Sequence, residues 1–117
     1  MSATHDWNDV ASSLSSAMKP LRGGAPDTMS AFSALAKAAL EPKALDTKTK
    51  ELIALAISVA TRCDGCIAFH AQAAVKMGAT RDEVMETMGM AIYMGAGPSV
   101  MYAAQALEAF DQFAQKT

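Results

Sequence analysis

The sequence predicts an all-α fold in one compact domain, and three observations carry that prediction. The chain holds 25 Ala and 9 Met, against 9 Val and Ile together. Ala and Met favour helices, whereas Val and Ile are the usual strand material. Apolar residues recur at helical spacing, as in Trp7, Val10, Leu14 and Met18. Proline, glycine and capping residues then divide the chain into about six helical segments. A length of 117 residues suits one domain and not two.

The first helix is expected from Thr4 to about Met18. Pro20, Gly23, Gly24 and Pro26 end it in a loop. Asp27 can cap a second helix, which carries Phe32, Leu35 and Ala39 and stops at Pro42. Asp46 or Thr47 starts a third, from about Lys48 to Arg62; its run Leu52 to Ala60 is apolar on every side, which predicts burial all round. A fourth begins near Cys63 or Asp64 and ends at Gly78. Thr80 followed by Glu83 is a capping box that opens a fifth, through Val84, Met88 and Ile92 to about Met94. Gly95, Gly97 and Pro98 break the chain, and a sixth helix runs from Pro98 to about Gln115. The third and fifth helices carry more apolar surface than one small domain needs to cover, so a stable homo-oligomer is expected.

Composition and charge exclude several classes. A formal net charge of −2 gives no basic footprint for nucleic acid or an acidic membrane surface. An apolar content of 51% is too high for a disordered chain. The longest mostly apolar run, Leu52 to Ala60, is about half the length a membrane span needs. The N-terminus has no basic start followed by an apolar stretch, so a cytoplasmic, reducing location is the default expectation. Two cysteines in that setting point to catalysis or metal binding more than to a structural staple.

The segment Cys63-Asp64-Gly65-Cys66-Ile67-Ala68-Phe69-His70 is where chemistry concentrates. Two cysteines separated by two residues can close a small disulfide at a helix start, where free N–H groups favour the thiolate. His70 follows Cys66 by four residues, so both project from one helical face and the imidazole can move a proton to or from the thiol. Glu51 is the other candidate. It is either solvated at the start of its helix or buried beside His70, where it would orient the imidazole as a proton relay; as a bare anion beside Cys66 it would oppose thiolate formation. The same Cys63, Cys66, His70 and Glu51 could supply four metal ligands, and inert thiols with a structural histidine are the plainer alternative. Met85, Met88, Met90, Met94 and Met101 read as core or subunit interface, ahead of a lining for an apolar substrate. Tyr93 and Tyr102 could each donate to a substrate, but nothing in the sequence singles them out.

The run from Leu45-Asp46 through Lys50-Glu51-Leu52, Cys63-x-x-Cys66-x-x-x-His70, Met77-Gly78-Ala79-Thr80, Glu83-Val84 and Gly95 to Ala106-Leu107-Glu108-Ala109-Phe110 resembles the alkylhydroperoxidase, AhpD-like branch of the carboxymuconolactone decarboxylase family. The resemblance covers residues 30–114. It implies an all-α fold assembled as a homo-trimer or a trimer-based hexamer, and a thiol–disulfide cycle that reduces peroxides without a cofactor or bound metal. It assigns Cys66 as the attacking thiol, Cys63 as the resolving thiol, and Glu51 and His70 as proton relay. The implied partners are a small peroxide substrate and an external thiol or lipoyl-type reductant, with no nucleic acid and no membrane. The best-known peroxidases of the branch have a histidine just before the second cysteine; here that position is Gly65. A non-catalytic redox-sensing or partner-binding oligomer, and a metal-binding module, are the alternatives from other classes.

Overall fold

The structure, a computed structural model, describes residues 2–116. It is all-helical: α1 (Trp7–Gly24), α2 (Pro26–Leu40), α3 (Thr47–Ala60), α4 (Asp64–Lys76) and α5 (Arg81–Ala114). The six expected helices become five elements because the last two run together. Ala96, at φ 56° and ψ −143°, breaks the helical path inside α5, so the expected boundary at Gly95 to Pro98 is present as a kink. Gly95 is required there, since a Cβ would collide with the Ser99 side chain across the bend.

Side-chain caps set most of the starts. The Asp6 carboxylate accepts from the Asp9 amide at 3.1 Å, and Asp46 from the Thr49 amide at 2.8 Å. Thr80 and Glu83 form the expected reciprocal box. Two boundaries differ from expectation. Helix α1 begins at Trp7 and continues past Met18 to Gly24 with Pro20 inside it. The missing proline N–H leaves the Ser16 carbonyl without its helical donor, and both residues are exposed, so water can satisfy it. Helix α2 then starts at once on Pro26, with Ala25 as its cap, so Asp27 lies in the first turn and caps nothing.

Helices α3 and α4 end alike. At the end of α4, Gly78 (φ 80°) donates to the Val75 carbonyl and Ala79 to the Ala74 carbonyl. At the end of α3, Arg62 (φ 57°) donates to Val59 and Cys63 to Ser58 in the same pattern. Both are Schellman closures around a left-handed residue, where glycine is the unstrained choice. An arginine therefore takes the left-handed position that delivers the chain into the cysteine pair.

The core lies among α3, α4 and α5. Leu55 and Val59 meet Ile67, Ala68, Ala71 and Ala74, with Val84, Met88, Ala106, Phe110 and Phe113 from α5. The many alanines let the helix axes approach closely. Trp7 is fully buried and its indole N–H donates to Glu108 at 2.8 Å. The expected all-round burial of the third helix does not hold. Glu51, Leu55, Ser58 and Val59 are buried, while Ile53 and Ile57 on the opposite side are 43% and 56% exposed. They face the side of α2, a helix with no buried residue. Among the described residues no helix is long and apolar enough to cross a membrane.

Candidate functional site

Cys63 is the N-cap of α4, and its sulfur accepts from the Cys66 amide at 3.2 Å. The two cysteines are joined as a disulfide, with Cα atoms 5.2 Å apart. A Cys-x-x-Cys pair that straddles a helix start has this geometry built in, because the cap and the third helical residue lie on the same turn. The Cys66 amide at the Cys63 sulfur, together with the N-terminal end of α4, favours negative charge there on reduction.

One turn on, His70 Nδ1 lies 2.6 Å from Glu51 Oε1. Glu51 is only 6% exposed, so the solvated alternative for it is excluded and the buried, paired one is present. With the carboxylate as acceptor, Nδ1 is the donor in this contact and Nε2 is the ring nitrogen left for other partners. Helix α3 thus supplies a fixed acceptor that orients an imidazole carried by α4, as second-layer carboxylates do in acid–base sites. Glu51 is thus joined to His70, and Cys63 to Cys66.

Cys63, Cys66 and His70 open on one cavity of about 510 Å³, walled by α1, α2 and the start of α4. Leu14, Met18 and Phe32 on α1 and α2, with Phe69 on α4, supply much of its apolar lining. Sequence reasoning did not assign these residues to the site; it read Leu14, Met18 and Phe32 only as parts of helices. His70 also borders a second cavity, of about 410 Å³, between α2 and α3. A larger depression of about 750 Å³ lies by the N-terminal segment and Gln112 and touches neither cysteine. Of the methionines singled out from sequence, Met88 is buried, while Met85, Met90, Met94 and Met101 are exposed on α5 and line none of these cavities. Tyr93 and Tyr102 are also outside them.

Gly65 sits under α1. A Cβ built on it would lie 2.7 Å from Leu14 Cδ1, so this chain fills with a leucine the space a side chain at that position would need. Asp64, also between the cysteines, is 3.5 Å from His5 Nε2. The segment bearing His5 is strapped to α5: Thr4, His5 and Trp7 all donate to the Glu108 carboxylate. Burial pushes that carboxyl up, but these hydrogen bonds outweigh it and hold it below the ordinary carboxylate value. Among the described residues no three His, Cys, Asp or Glu side chains converge as a metal site requires.

Comparison with known proteins bears on the fold and the family. The family model for the carboxymuconolactone decarboxylase family matches residues 26–109. A crystal structure of a family member from Legionella pneumophila superposes with a TM-score of 0.90 at 52% identity, covering 92% of this chain and 96% of that one. A Thermotoga maritima member, described as a candidate for a role in the antioxidative response, superposes with a TM-score of 0.75 at 27% identity, over 95% of this chain and 92% of that one. A Haemophilus influenzae protein without an assigned function is 43% identical over 105 residues, 90% of this chain and 93% of its own length. On sequence and structure together, the chain belongs to the carboxymuconolactone decarboxylase family.

Proposed function

We propose that the protein is a thiol-dependent oxidoreductase of the AhpD-like branch that reduces organic hydroperoxides through a Cys63/Cys66 disulfide cycle. The observation that carries this reading is the 2.6 Å contact between buried Glu51 and His70, beside a cavity onto which Cys66 also opens. In the reduced protein His70 Nε2 takes the Cys66 thiol proton. The thiolate attacks the terminal peroxide oxygen and the O–O bond breaks, leaving a sulfenic acid on Cys66 and an alkoxide. The imidazolium returns its proton to the alkoxide, which leaves as the alcohol. The Cys63 thiol then attacks the Cys66 sulfur, releasing water and closing the disulfide found in the structure. An external dithiol, such as a lipoyl-type donor in a reducing compartment such as the cytoplasm, restores both thiols and is itself oxidised to a disulfide. Glu51 holds the imidazole in the required tautomer and stabilises its cationic form.

A second reading, a redox-sensing oligomer, draws on a different observation. Helix α2 has no buried residue, and Leu35, Ile53 and Ile57 leave an apolar face uncovered, with Met90, Tyr93 and Met94 exposed on α5. This surface supports assembly into a three-fold homo-oligomer under either reading. Consumption of cumene hydroperoxide with a dithiol donor, wild type beside Cys66→Ser, tests the enzyme. Turnover in the wild type and none in the variant is expected. No turnover in the wild type, with an oligomer size that differs between oxidised and reduced protein, favours the sensor.

A further inference from the structure

The cavity beside the cysteine pair has a direction. Leu14, Met18 and Arg22 lie at positions i, i+4 and i+8 of α1, so they form one stripe along its wall. Leu14 packs against Gly65 at the cysteine end. Arg22 is two turns further on, about 12 Å along the helix axis. The α2 wall runs the opposite way. Met29 borders the same recess as Arg22, beside the α1–α2 junction, while Ala36 borders the cavity that also reaches His70. The groove therefore has the redox pair at one end, an apolar floor of Met18, Met29 and Phe32, and a cation at the other end.

Arg22 is the one permanently charged side chain on this lining, which includes no carboxylate. Among the described residues its side chain makes no hydrogen bond or ion pair. An apolar groove with an unpaired guanidinium at its far end matches an amphiphile with one anionic head, and a planar guanidinium suits a carboxylate.

We propose that the groove selects straight-chain fatty-acid hydroperoxides with a free carboxylate: Arg22 takes the carboxylate, the alkyl chain lies along Met18 and Phe32, and the mid-chain –OOH is presented to Cys66. This rests on the peroxidase reading. The reaction is the one balanced above, with the hydroxy acid as the alcohol product, water as the second product and the external dithiol as the source of electrons. Arg22 is a specificity residue and has no part in breaking the O–O bond.

Two measurements test it. The first compares kcat/KM for the mid-chain hydroperoxide of linoleic acid and for its methyl ester, both below their micellar concentrations. The wild type is expected to prefer the acid by about two- to fivefold, the range for a charge pair open to solvent. That ratio should fall to near one in Arg22→Gln and be largely retained in Arg22→Lys. Equal rates for acid and ester in the wild type, or a preference that persists in Arg22→Gln, would overturn the proposal while leaving the peroxidase reading intact. The second follows amide NMR shifts of the oxidised protein on addition of decanoate or decanol, neither of which can be reduced. Decanoate should shift Met18, Phe32 and Phe69 at lower concentration than decanol does, and this advantage should vanish in Arg22→Gln. If no hydroperoxide is turned over but decanoate binds in this way, the peroxidase reading fails and the groove assignment stands. If decanoate shifts none of these residues, because a second copy of the chain fills the groove or because no ligand is held there, the assignment fails.

Discussion

Replacing Glu51 with Gln changes one charge and little else, and its consequence can be worked from the geometry. The side chain is buried and its Oε1 lies 2.6 Å from His70 Nδ1. A glutamine carbonyl can accept the same hydrogen, so the imidazole keeps its orientation. What is lost is the charge-assisted part of the bond to an imidazolium, roughly 1–1.5 kcal/mol when charged and neutral hydrogen bonds are compared. At 1.36 kcal/mol per unit, the proton transfer from Cys66 to His70 becomes harder by about one pKa unit. Below the thiol pKa the thiolate fraction then falls about tenfold. The assay is the rate–pH profile for alkylation of reduced Cys63→Ser protein, which isolates Cys66, with and without Glu51→Gln. Slower reaction near neutral pH and equal rates at high pH are expected. The opposite sign, a lower thiol pKa and faster alkylation in Glu51→Gln, would mean that the carboxylate acts on Cys66 as a bare anion, and would refute the relay.

Three further outcomes follow from the same structure. Gly65→His should displace Leu14 and cost about 1–3 kcal/mol of stability through overpacking; Gly65→His combined with Leu14→Ala should recover much of that in urea unfolding, and any gain in peroxide turnover should be larger in the double variant. Arg62→Gly should stabilise the fold by about 0.5–1 kcal/mol in the same assay by relieving the left-handed backbone at φ 57°, whereas Gly78→Ala should cost about 1 kcal/mol. Glu108 has its carboxyl held below its ordinary value of 4.5, so the folded state favours the anion; the stability it contributes is complete above that pH and is lost as pH falls through the lowered value. Glu108→Gln should flatten that acid limb, read from the fluorescence of Trp7, which Glu108 holds by its indole N–H.

Much of this was legible in the sequence, for local reasons. Asp46, the Thr80/Glu83 box and Gly78 mark helix ends because their side chains, or the lack of one, act on the nearest backbone groups. The break at Gly95 to Pro98 was visible for the same reason, although it proved to be a kink. Pro20 misled because an exposed carbonyl can turn to water, which a proline's neighbours do not reveal. Arg62 gave no signal, since its left-handed backbone is imposed by the turn into the cysteines. The four candidate residues were named from spacing and resemblance, but whether Glu51 met His70 or solvent was a question of tertiary packing between α3 and α4. The same holds for Ile53 and Ile57, whose apolar face predicts burial that this chain alone does not provide. Leu14 over Gly65 could not be read at all, because the contact joins helices about fifty residues apart.

The central claim is that Cys66 attacks a peroxide and Cys63 resolves it. A single-turnover experiment tests this most directly: reduced protein is mixed with one equivalent of cumene hydroperoxide and quenched into a thiol-blocking reagent and dimedone, then mapped by mass spectrometry. The account predicts stoichiometric cumyl alcohol and a Cys63–Cys66 disulfide in the wild type, and a dimedone adduct on Cys66 in Cys63→Ser. Free thiols on both residues after the peroxide has been added, or a dimedone adduct that forms on Cys63 in Cys66→Ser while Cys66 in Cys63→Ser stays unmodified, would contradict it.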